Sequence, residues 1–246
     1  MKNNITKIKT EIKEKQNKEK AKLLSRYFKT GKGEYAEGDI FVGLMVPQSR
    51  LIAKEFFDIS LSEVEELLHS KIHEERLIAL FILVHQFQKA DEKKKKIIFD
   101  LYLHSTKCIN NWDLVDLSSH KIVGEYLLDK NTKILHTLSK SKNIWERRIA
   151  IISTFAFIRK GKFKESFQLA ELLLHDTHDL IHKAVGWMLR EIGKKDTVPL
   201  EIFLEEHASH MPRTMLRYAI EKMPASQRTY FLSKKNFQKK NISSHQ

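Results

Sequence analysis

Residues that break helices are scarce in this sequence. Of its 246 residues only 8 are glycine and 4 are proline, which leaves little of the turn chemistry that a fold of many short strands needs. Leucine, isoleucine, lysine and glutamate predominate instead, and these residues either favour helices or are tolerated in them. The composition therefore predicts an all-α fold.

Cysteine and long apolar stretches are equally scarce. The single cysteine, Cys108, excludes an intramolecular disulfide and any zinc site built from several cysteines. Residues 1–20 are mostly charged or polar and contain no apolar stretch of the kind found in signal peptides. The longest apolar run, residues 77–84, is much shorter than a membrane span. We therefore expect a cytoplasmic protein with no membrane segment.

Negative charge is in deficit. Lysine and arginine number 44 against 31 aspartates and glutamates, which gives a formal net charge of +13. An excess of this sign is typical of proteins that bind polyanions, either nucleic acid or an anionic membrane surface. It is also compatible with a protein that uses lysine only for solubility, and composition alone leaves these alternatives open.

The hydrophobic pattern divides the chain into three segments. Residues 1–20 are predicted to be a charged N-terminal extension or a frayed helix. Residues 21–232 contain a succession of helical patterns with short breaks and are predicted to form a single repeat domain. Within it, Pro47 suits the first turn of a helix, and Ser60 with Glu63 forms a capping-box pattern. The polar, basic residues 233–246 are predicted to be a disordered tail.

Basic residues that lead into small apolar runs recur along the chain. Arg76, Arg148, Lys183 and Arg217 follow one another at spacings of 72, 35 and 34 residues. A recurrence of about 35 residues, with two helices in each repeat, is typical of an α-solenoid. The tetratricopeptide pattern is missing, so the sequence predicts HEAT-like helical repeats.

Equivalent positions of a solenoid line up on one face, so these basic residues would form a positive stripe along a concave basic groove. The phosphates of a DNA duplex are a matching ligand, because each neutralised phosphate releases counterions. The alternative is that each basic residue pairs with a nearby glutamate, namely Glu74, Glu146 or Glu221. The spacing alone does not separate these two interpretations.

One short segment, NNWDLVD at residues 110–116, contains residues that could carry chemistry. Trp112 and Asp116 are four residues apart and would project from the same face of a helix, although a core tryptophan beside a capping aspartate is the structural alternative. Asp113 is a poorer candidate, because it suits the first helical turn, where the helix dipole favours a carboxylate. Trp187 follows Lys183 by the same offset of four. Two indole faces beside a carboxylate would suit a cationic, planar substrate through cation–π attraction.

Three motifs, in this order, give the chain a family resemblance. The sequences NWDLVD (residues 111–116), NIWERRIA (143–150) and HKAVGWMLRE (182–191) together resemble the AlkD-type DNA alkylation-repair glycosylases, which are built from HEAT-like repeats. The segments EKAKLLSRYFKT and GLMVPQSR extend the resemblance upstream, so that it covers about residues 18–222. The resemblance implies a monofunctional DNA glycosylase that removes alkylated, positively charged purines from duplex DNA in base excision repair, without strand cleavage.

The resemblance also implies roles for individual residues. Asp116 matches the catalytic carboxylate that stabilises the oxocarbenium-like sugar as the base departs. Trp112 and Trp187 match the aromatic pair that holds the lesion and the sugar-phosphate. Arg148 matches the arginine beside the carboxylate, within reach of a backbone phosphate. Tyr27 matches an N-terminal aromatic residue of the same cleft.

Further DNA contacts are expected from basic residues in the matched motifs and along the predicted stripe. These residues are Arg50, Arg76, Arg147, Lys183, Arg190 and Arg217. Asn111 stands where some family members have a second tryptophan, a departure that implies altered stacking or an altered range of lesions.

Histidine spacing offers one metal-site pattern. His178 and His182 are four residues apart, a legitimate ligand spacing, but no third ligand is evident. We therefore expect no metal and no cofactor, and a monomer that binds duplex DNA containing alkylated bases. Two other functions stay open, namely a non-catalytic DNA-structure binder that uses the same groove and an interaction solenoid that reads an acidic peptide.

Overall fold

The computed structural model describes residues 4–234, and all regular structure in that range is helical apart from one isolated bridge between Ile40 and Ile72. The all-α prediction is therefore confirmed. The N-terminal half contains α1 (Asn4–Lys15), α2 (Lys18–Tyr27), α3 (Val46–Glu55), α4 (Leu61–Leu68), α5 (His73–Lys89), α6 (Glu92–His104), α7 (Trp112–Ser119), a π-helical turn (His120–Gly124) and α8 (Glu125–Leu127). The C-terminal half contains α9 (Lys133–Ser139), α10 (Ile144–Ser153), α11 (Phe155–Arg159), α12 (Lys164–Leu172), α13 (Asp179–Lys195), α14 (Thr197–His207), α15 (Arg213–Ala219) and α16 (Ala225–Ser233).

The helices group into two compact units, of which the first ends at Tyr126 and the second begins at Leu127. The sequence predicted a single domain over residues 21–232. The division reflects how the helices pack, because α5 contacts α3, α4 and α7, whereas α13 contacts α10, α14 and α15. Contacts between helices that are close in sequence are expected in helical-repeat chains, where each repeat packs mainly on its neighbours.

Helix α5 is the centre of the first unit. Its side chains are buried on almost every face, and Ile78, Leu80, Ile82 and Leu83 are completely inaccessible to solvent. This agrees with the sequence, in which the segment is apolar on more than one face. Because α3, α4 and α7 all pack on this helix, it fixes the positions of the elements that carry the candidate site.

Helix α1 corrects the expectation of a charged extension or a frayed helix at the N-terminus. Ile5, Ile8 and Ile12 lie on one face of α1 and are buried. The side-chain amide of Asn4 donates a hydrogen bond to the Glu63 carboxylate, with an N–O distance of 3.1 Å. Burying an isoleucine is worth about 1.5–3 kcal/mol, which favours a docked helix. The lysine and glutamate residues between the isoleucines obscured this apolar face in the sequence.

Helix α13 is the centre of the second unit and approaches α15 closely at Gly186. A Cβ atom at this position would lie 2.5 Å from the Met215 carbonyl oxygen and 2.5 Å from the Tyr218 Cβ. Both distances are well below normal van der Waals contact. Glycine is therefore required where these two helices meet.

Local sequence signals for helix ends are confirmed. Ser60 accepts a hydrogen bond from the Glu63 amide at 3.2 Å, and the Glu63 carboxylate accepts one from the Ser60 amide at 2.8 Å, which completes the capping box. Pro47 lies in the first turn of α3. Of the predicted tail at residues 233–246, Ser233 ends α16, while residues 235–246 lie outside the described part of the chain. Within residues 4–234, no helix has the length and apolar character that crossing a bilayer requires.

Candidate functional site

Helix α7 begins at Trp112 and carries both residues of the predicted tryptophan–aspartate pair. The Asn111 side chain caps the helix by accepting a hydrogen bond from the Trp112 amide at 2.8 Å. Asp116 follows one turn later and is half-buried, whereas Asp113 is buried. The helix therefore presents the Trp112 and Asp116 side chains on one face, as the spacing predicted.

Trp112 is the end of a column of stacked rings. Its ring lies 5.0 Å from Phe28 at an interplanar angle of 20°, and Phe28 lies 5.0 Å from Phe41 at 14°. Phe41 then stacks on the imidazole of His73, 4.4 Å away at 23°. Tyr27 contacts the Trp112 ring edge-on at 5.9 Å and is 65% exposed. Ring pairs in these geometries add to the stabilisation from burial alone, so the column fixes the orientation of Trp112.

A single carboxylate holds the loop that precedes α3 and leads into this column. The Glu74 carboxylate is buried and accepts hydrogen bonds from the backbone amides of Val42, Gly43 and Leu44 at 3.0, 2.8 and 3.3 Å. The Val42 carbonyl accepts a hydrogen bond from the Asn17 amide, at the start of α2, at 2.9 Å. These contacts tie the beginning of α2, the helix that carries Tyr27 at its end, to the start of α5.

The close approach of the loop to α2 requires glycine at position 43. Gly43 has a φ of +90°, a conformation that L side chains rarely adopt. A Cβ atom there would lie 2.1 Å from the Asn17 carbonyl oxygen. The backbone of the loop can therefore reach α2 only without a side chain at this position.

Behind Trp112 lies a buried chain of charged groups. The His73 Nε2 is 2.8 Å from the Asp113 carboxylate, and its Nδ1 is 3.3 Å from the Asp39 carboxylate. Arg76 donates to the other oxygen of Asp39 at 2.7 Å and to the Ser70 carbonyl at 2.9 Å. The side chains of His73, Asp39 and Asp113 are each less than a tenth exposed. Buried charges of this kind are stable only when they are paired and hydrogen-bonded, as they are here.

The pairing shifts the pKa values of His73 and Asp39. Burial disfavours the charged imidazolium of His73, but attraction to Asp113 and hydrogen bonds to Asp113 and Asp39 outweigh it, so the pKa of His73 is raised. Burial likewise opposes ionisation of Asp39, but the hydrogen bond from His73 and the charge of Arg76 prevail and lower its pKa. Each ring nitrogen of His73 therefore faces a carboxylate, an arrangement that favours the charged imidazolium.

Trp112 also has a polar contact through its indole nitrogen. The indole N–H donates a hydrogen bond to the Tyr35 hydroxyl, because the indole has no acceptor. Burial raises the pKa of Tyr35, and the nearby groups Tyr27, Asp113 and Glu34 add to this effect. The ring is thus fixed by stacking on one face and by a hydrogen bond at its edge.

In the second unit, Arg148 and Trp187 belong to α10 and α13. Arg148 is only 5% exposed, and its guanidinium donates a hydrogen bond to the Leu180 carbonyl. The Trp187 indole N–H donates to the Glu191 carboxylate at 3.0 Å, and the ring lies 6.1 Å from Phe155. Both side chains are therefore held in place by partners on or near the helices that carry them.

The family model described as "DNA alkylation repair enzyme" matches residues 8–223. The chain belongs to this family.

Among curated proteins, no sequence matches the chain. Several solved structures are similar to it, and the identities of the two described next support the fold alone. One is a predicted DNA alkylation repair enzyme from Enterococcus faecalis, with a TM-score of 0.66, 17% identity and coverage of 85% of this chain and 97% of that chain. The other is AlkD2 from Streptococcus mutans, with a TM-score of 0.53, 18% identity and coverage of 85% of this chain and 99% of that chain.

Arg76 is the clearest correction among the expected DNA contacts of this family member. It is 3% exposed and forms an ion pair with Asp39, which lies in the loop between α2 and α3. It therefore has little surface with which to reach a phosphate. Arg76 thus pairs with an acidic residue, as the alternative interpretation expected, but its partner is Asp39 and not Glu74. The Glu74 carboxylate accepts hydrogen bonds from the loop amides instead.

Other predicted basic contacts in the second unit are also engaged by acidic groups. Arg147 donates to Asp176 at 2.6 Å, and Lys183 lies 2.7 Å from Asp179 one turn earlier on α13. Arg190 forms an ion pair with Glu221. Of these pairs, Lys183–Asp179 is well exposed, and exposed pairs are weak and can exchange partners, so Lys183 keeps the capacity to bind an anion.

Among the predicted basic contacts, Arg217 and Arg50 are exposed. Arg217 is exposed on α15, and Arg50 is exposed on α3, where its guanidinium carbon lies 4.2 Å from the centre of the Phe81 ring. Arg148 by contrast has little exposed surface for the predicted phosphate contact. The stripe of four equivalent basic positions therefore contains two buried side chains, Arg76 and Arg148, beside the more accessible Lys183 and Arg217.

The structure adds residues that the sequence analysis missed. His73 and Asp39 fix the first turn of α7 through Asp113, and Phe28 and Phe41 support Trp112. The only signal in the sequence was the position of His73 directly before the acidic and apolar run that forms α5. The histidine pair of the possible metal pattern has separate backbone partners, since His178 accepts from the Leu180 amide and His182 contacts the Asp176 carbonyl. Among the described residues, no group of three or more histidine, cysteine or acidic side chains could hold a metal ion.

Proposed function

We propose that the protein is a monofunctional DNA glycosylase that hydrolyses the N-glycosidic bond of purines alkylated at N3 or N7 in duplex DNA. The observation that carries the proposal is the arrangement of α7, where Trp112 is fixed by stacked rings and Asp116 follows one turn later on the same face. The net charge of +13 supports duplex DNA as the partner. The proposal also includes action as a monomer in the cytoplasm, in base excision repair.

Asp116 acts on the sugar rather than on the base. An alkylated purine carries a positive charge, so its bond to C1′ breaks with the electron pair passing to the base, which leaves as a neutral molecule. The sugar becomes an oxocarbenium-like cation, and the Asp116 carboxylate stabilises the charge that develops there. Water then forms the new bond to C1′ and releases a proton, which gives an abasic site. One carboxylate is sufficient, because the cationic leaving group needs little acid catalysis.

Trp112 holds the lesion against this carboxylate. Phe28 covers one face of its ring, while the ring remains partly exposed and Tyr27 extends the aromatic surface. A cationic planar base is attracted to such a surface by a cation–π interaction. In the second unit, Trp187 is also partly exposed and is held by Glu191, and we assign it the same kind of contact with the lesion or its sugar. Arg148 is anchored on the Leu180 carbonyl, and we assign it a contact with a backbone phosphate of the duplex.

The experiment is a base-release assay on a duplex that contains 7-methylguanine. Asp116→Asn removes the charge at nearly constant shape, and we expect release to fall at least about a hundredfold. Asp129→Asn is the matched control, because Asp129 is an exposed aspartate in the second unit. Strand cleavage should not accompany release, since no lysine is required as a nucleophile. Unchanged release by Asp116→Asn would overturn the catalytic assignment.

A binding measurement on the same duplex separates the remaining alternatives. If the wild-type protein binds the duplex but releases no base, the protein is a DNA-structure binder without the activity. If the affinity does not depend on salt concentration, DNA is not the partner, because phosphate contacts always give a negative slope of log K against log salt.

A further inference from the structure

A small cavity opens in the first unit between α3, α5 and the π-helical turn. Its volume is about 180 Å³. The residues that line it are Arg50, Ala53, Lys54, Phe81, Val84, His85, Gln88 and Lys121. Drug-sized ligands occupy about 300–1,000 Å³, so this cavity suits a single small group.

The cavity is strongly basic. Three lysine or arginine side chains line it, namely Arg50, Lys54 and Lys121, together with His85, and none of the described lining residues is acidic. Burial and the charges of Lys89 and Lys54 lower the pKa of His85. An anion in the cavity would relieve this repulsion.

Aromatic rings hold two of the neighbouring cations in place. The Arg50 guanidinium lies over the Phe81 ring, with 4.2 Å between the guanidinium carbon and the ring centre. The Lys89 amine lies 4.6 Å from the centre of the Phe57 ring, and Phe57 in turn contacts His85 at 4.9 Å. Stacking leaves the planar edge of a guanidinium available to donate two parallel hydrogen bonds, which is the geometry that phosphate oxygens accept.

We propose that this cavity binds one phosphate group of the duplex backbone and thereby sets the position of the DNA along α7. The proposal rests on the proposed function in taking duplex DNA as the partner. A base is a poorer occupant, because the ring of Phe81 is already covered by Arg50. Of the residues that line the cavity, only Arg50 was predicted from the sequence to contact DNA. The cavity adds Lys54, His85 and Lys121.

Lys121 connects the cavity to the candidate catalytic residue. It belongs to the π-helical turn His120–Gly124, which continues α7 without a break, and it follows Asp116 by five residues. The turn also packs on α5, which carries Phe81 and His85. Local π-helical geometry often occurs at functional sites, because it changes the direction of the side chains that follow. A phosphate bound at Lys121 is thus held at a fixed position relative to Asp116.

The first test is the salt dependence of binding to an unmodified duplex. The double variant Arg50→Gln/Lys54→Gln should reduce the magnitude of the slope of log K against log salt by about 0.9, as expected for one lost phosphate contact. The control variant Lys93→Gln/Lys94→Gln removes the same charge from exposed positions on α6 and should leave the slope unchanged. An equal reduction in both variants would show that only overall charge matters and would overturn the proposal.

The second test identifies the phosphate. Duplexes that carry one neutral methylphosphonate at successive positions should show, at a single position, an affinity loss of about tenfold for the wild-type protein. In Arg50→Gln/Lys54→Gln that position should no longer matter, while the other positions keep their effects. If every position affects the variant and the wild type alike, the cavity does not bind the backbone.

The third test distinguishes DNA from free phosphate. We expect the NMR titration of the His85 ring to show a higher pKa in the duplex complex than in the free protein, since a bound anion offsets the charges of Lys89 and Lys54. If inorganic phosphate raises the pKa of His85 but no methylphosphonate position is coupled to the cavity, the site binds free phosphate and the proposal is wrong. None of these measurements needs base release, so they separate this proposal from the glycosylase assignment.

Discussion

His73 and Asp113 are 40 residues apart in the chain, yet the imidazole Nε2 and the carboxylate lie 2.8 Å from each other in a buried site. Asp113 is therefore committed to holding the first turn of α7 on α5. Asp116, three residues later, is half-buried and lies on the Trp112 face of the helix. Two carboxylates on one short helix thus have different tasks, one structural and one proposed to be catalytic.

Removing the charge of Asp113 should destabilise the protein. Asp113→Asn leaves the His73 cation with one buried partner fewer, and breaking a buried pair costs about 3–5 kcal/mol. We expect a free energy of unfolding in urea that is lower by about 3 kcal/mol. Asp129→Asn should leave it nearly unchanged, because Asp129 is exposed. Equal stabilities of the two variants would show that the buried pair does not hold α7.

The raised pKa of His73 predicts a pH dependence of stability. A histidine whose pKa is raised on folding contributes stability that is complete below its unfolded value of about 6.5 and is lost as the pH rises through the folded value. The advantage of the wild-type protein over His73→Gln should therefore shrink as the pH rises above about 6.5. The groups that face His73 are Asp113, Asp39 and Arg76, and the lowered pKa of Asp39 keeps that carboxylate ionised as the pH rises.

Urea unfolding of both proteins at several pH values measures this effect. His85 provides an internal contrast, because its pKa is lowered on folding. As the pH falls below about 6.5, the wild-type protein should instead lose stability relative to His85→Gln. A stability difference for His73→Gln that stays constant over the whole pH range would contradict the charged state assigned to His73.

Gly43 and Gly33 form a matched pair for testing the loop that precedes α3. Both have positive φ, but a Cβ at Gly43 would collide with the Asn17 carbonyl, whereas a Cβ at Gly33 meets nothing within 4 Å. Gly33→Ala should cost about 1 kcal/mol of stability through its backbone conformation alone. Gly43→Ala should cost clearly more and should also lower base release, because the loop ties the start of α2 to α5. Similar losses of stability for the two variants would show that a collision of the Cβ with the Asn17 carbonyl is not the reason for glycine at position 43.

Trp112 should contribute to the release of cationic bases through its ring. Trp112→Leu should reduce the release of 7-methylguanine about tenfold, as expected for a partly desolvated cation–π contact. Tyr230→Leu removes a half-exposed ring from α16 and serves as the control. Release by Trp112→Leu at the wild-type rate would show that the lesion is not held by this ring.

The sequence was sufficient for features that depend on local spacing. The all-helical fold, the capping box at Ser60 and the placement of Trp112 and Asp116 on one helical face all follow from residues within one or two turns of each other. The burial of Arg76 was not predictable, because its partner Asp39 lies 37 residues earlier in a loop without a helical pattern. The same reason hid the contact between His73 and Asp113. Long-range pairs leave no trace in the local pattern of a single sequence.

The stacked column and the buried charges have a joint consequence for how damage is detected. The column runs from Trp112 through Phe28 and Phe41 to His73, and His73 returns to Asp113, the residue next to Trp112. These contacts form a closed cycle, because Trp112 and Asp113 are neighbours in the chain. A displacement of the Trp112 ring would therefore disturb several of these contacts at once. We therefore expect this part of the protein to keep its shape on binding, and under the proposed function the duplex would be the partner that bends.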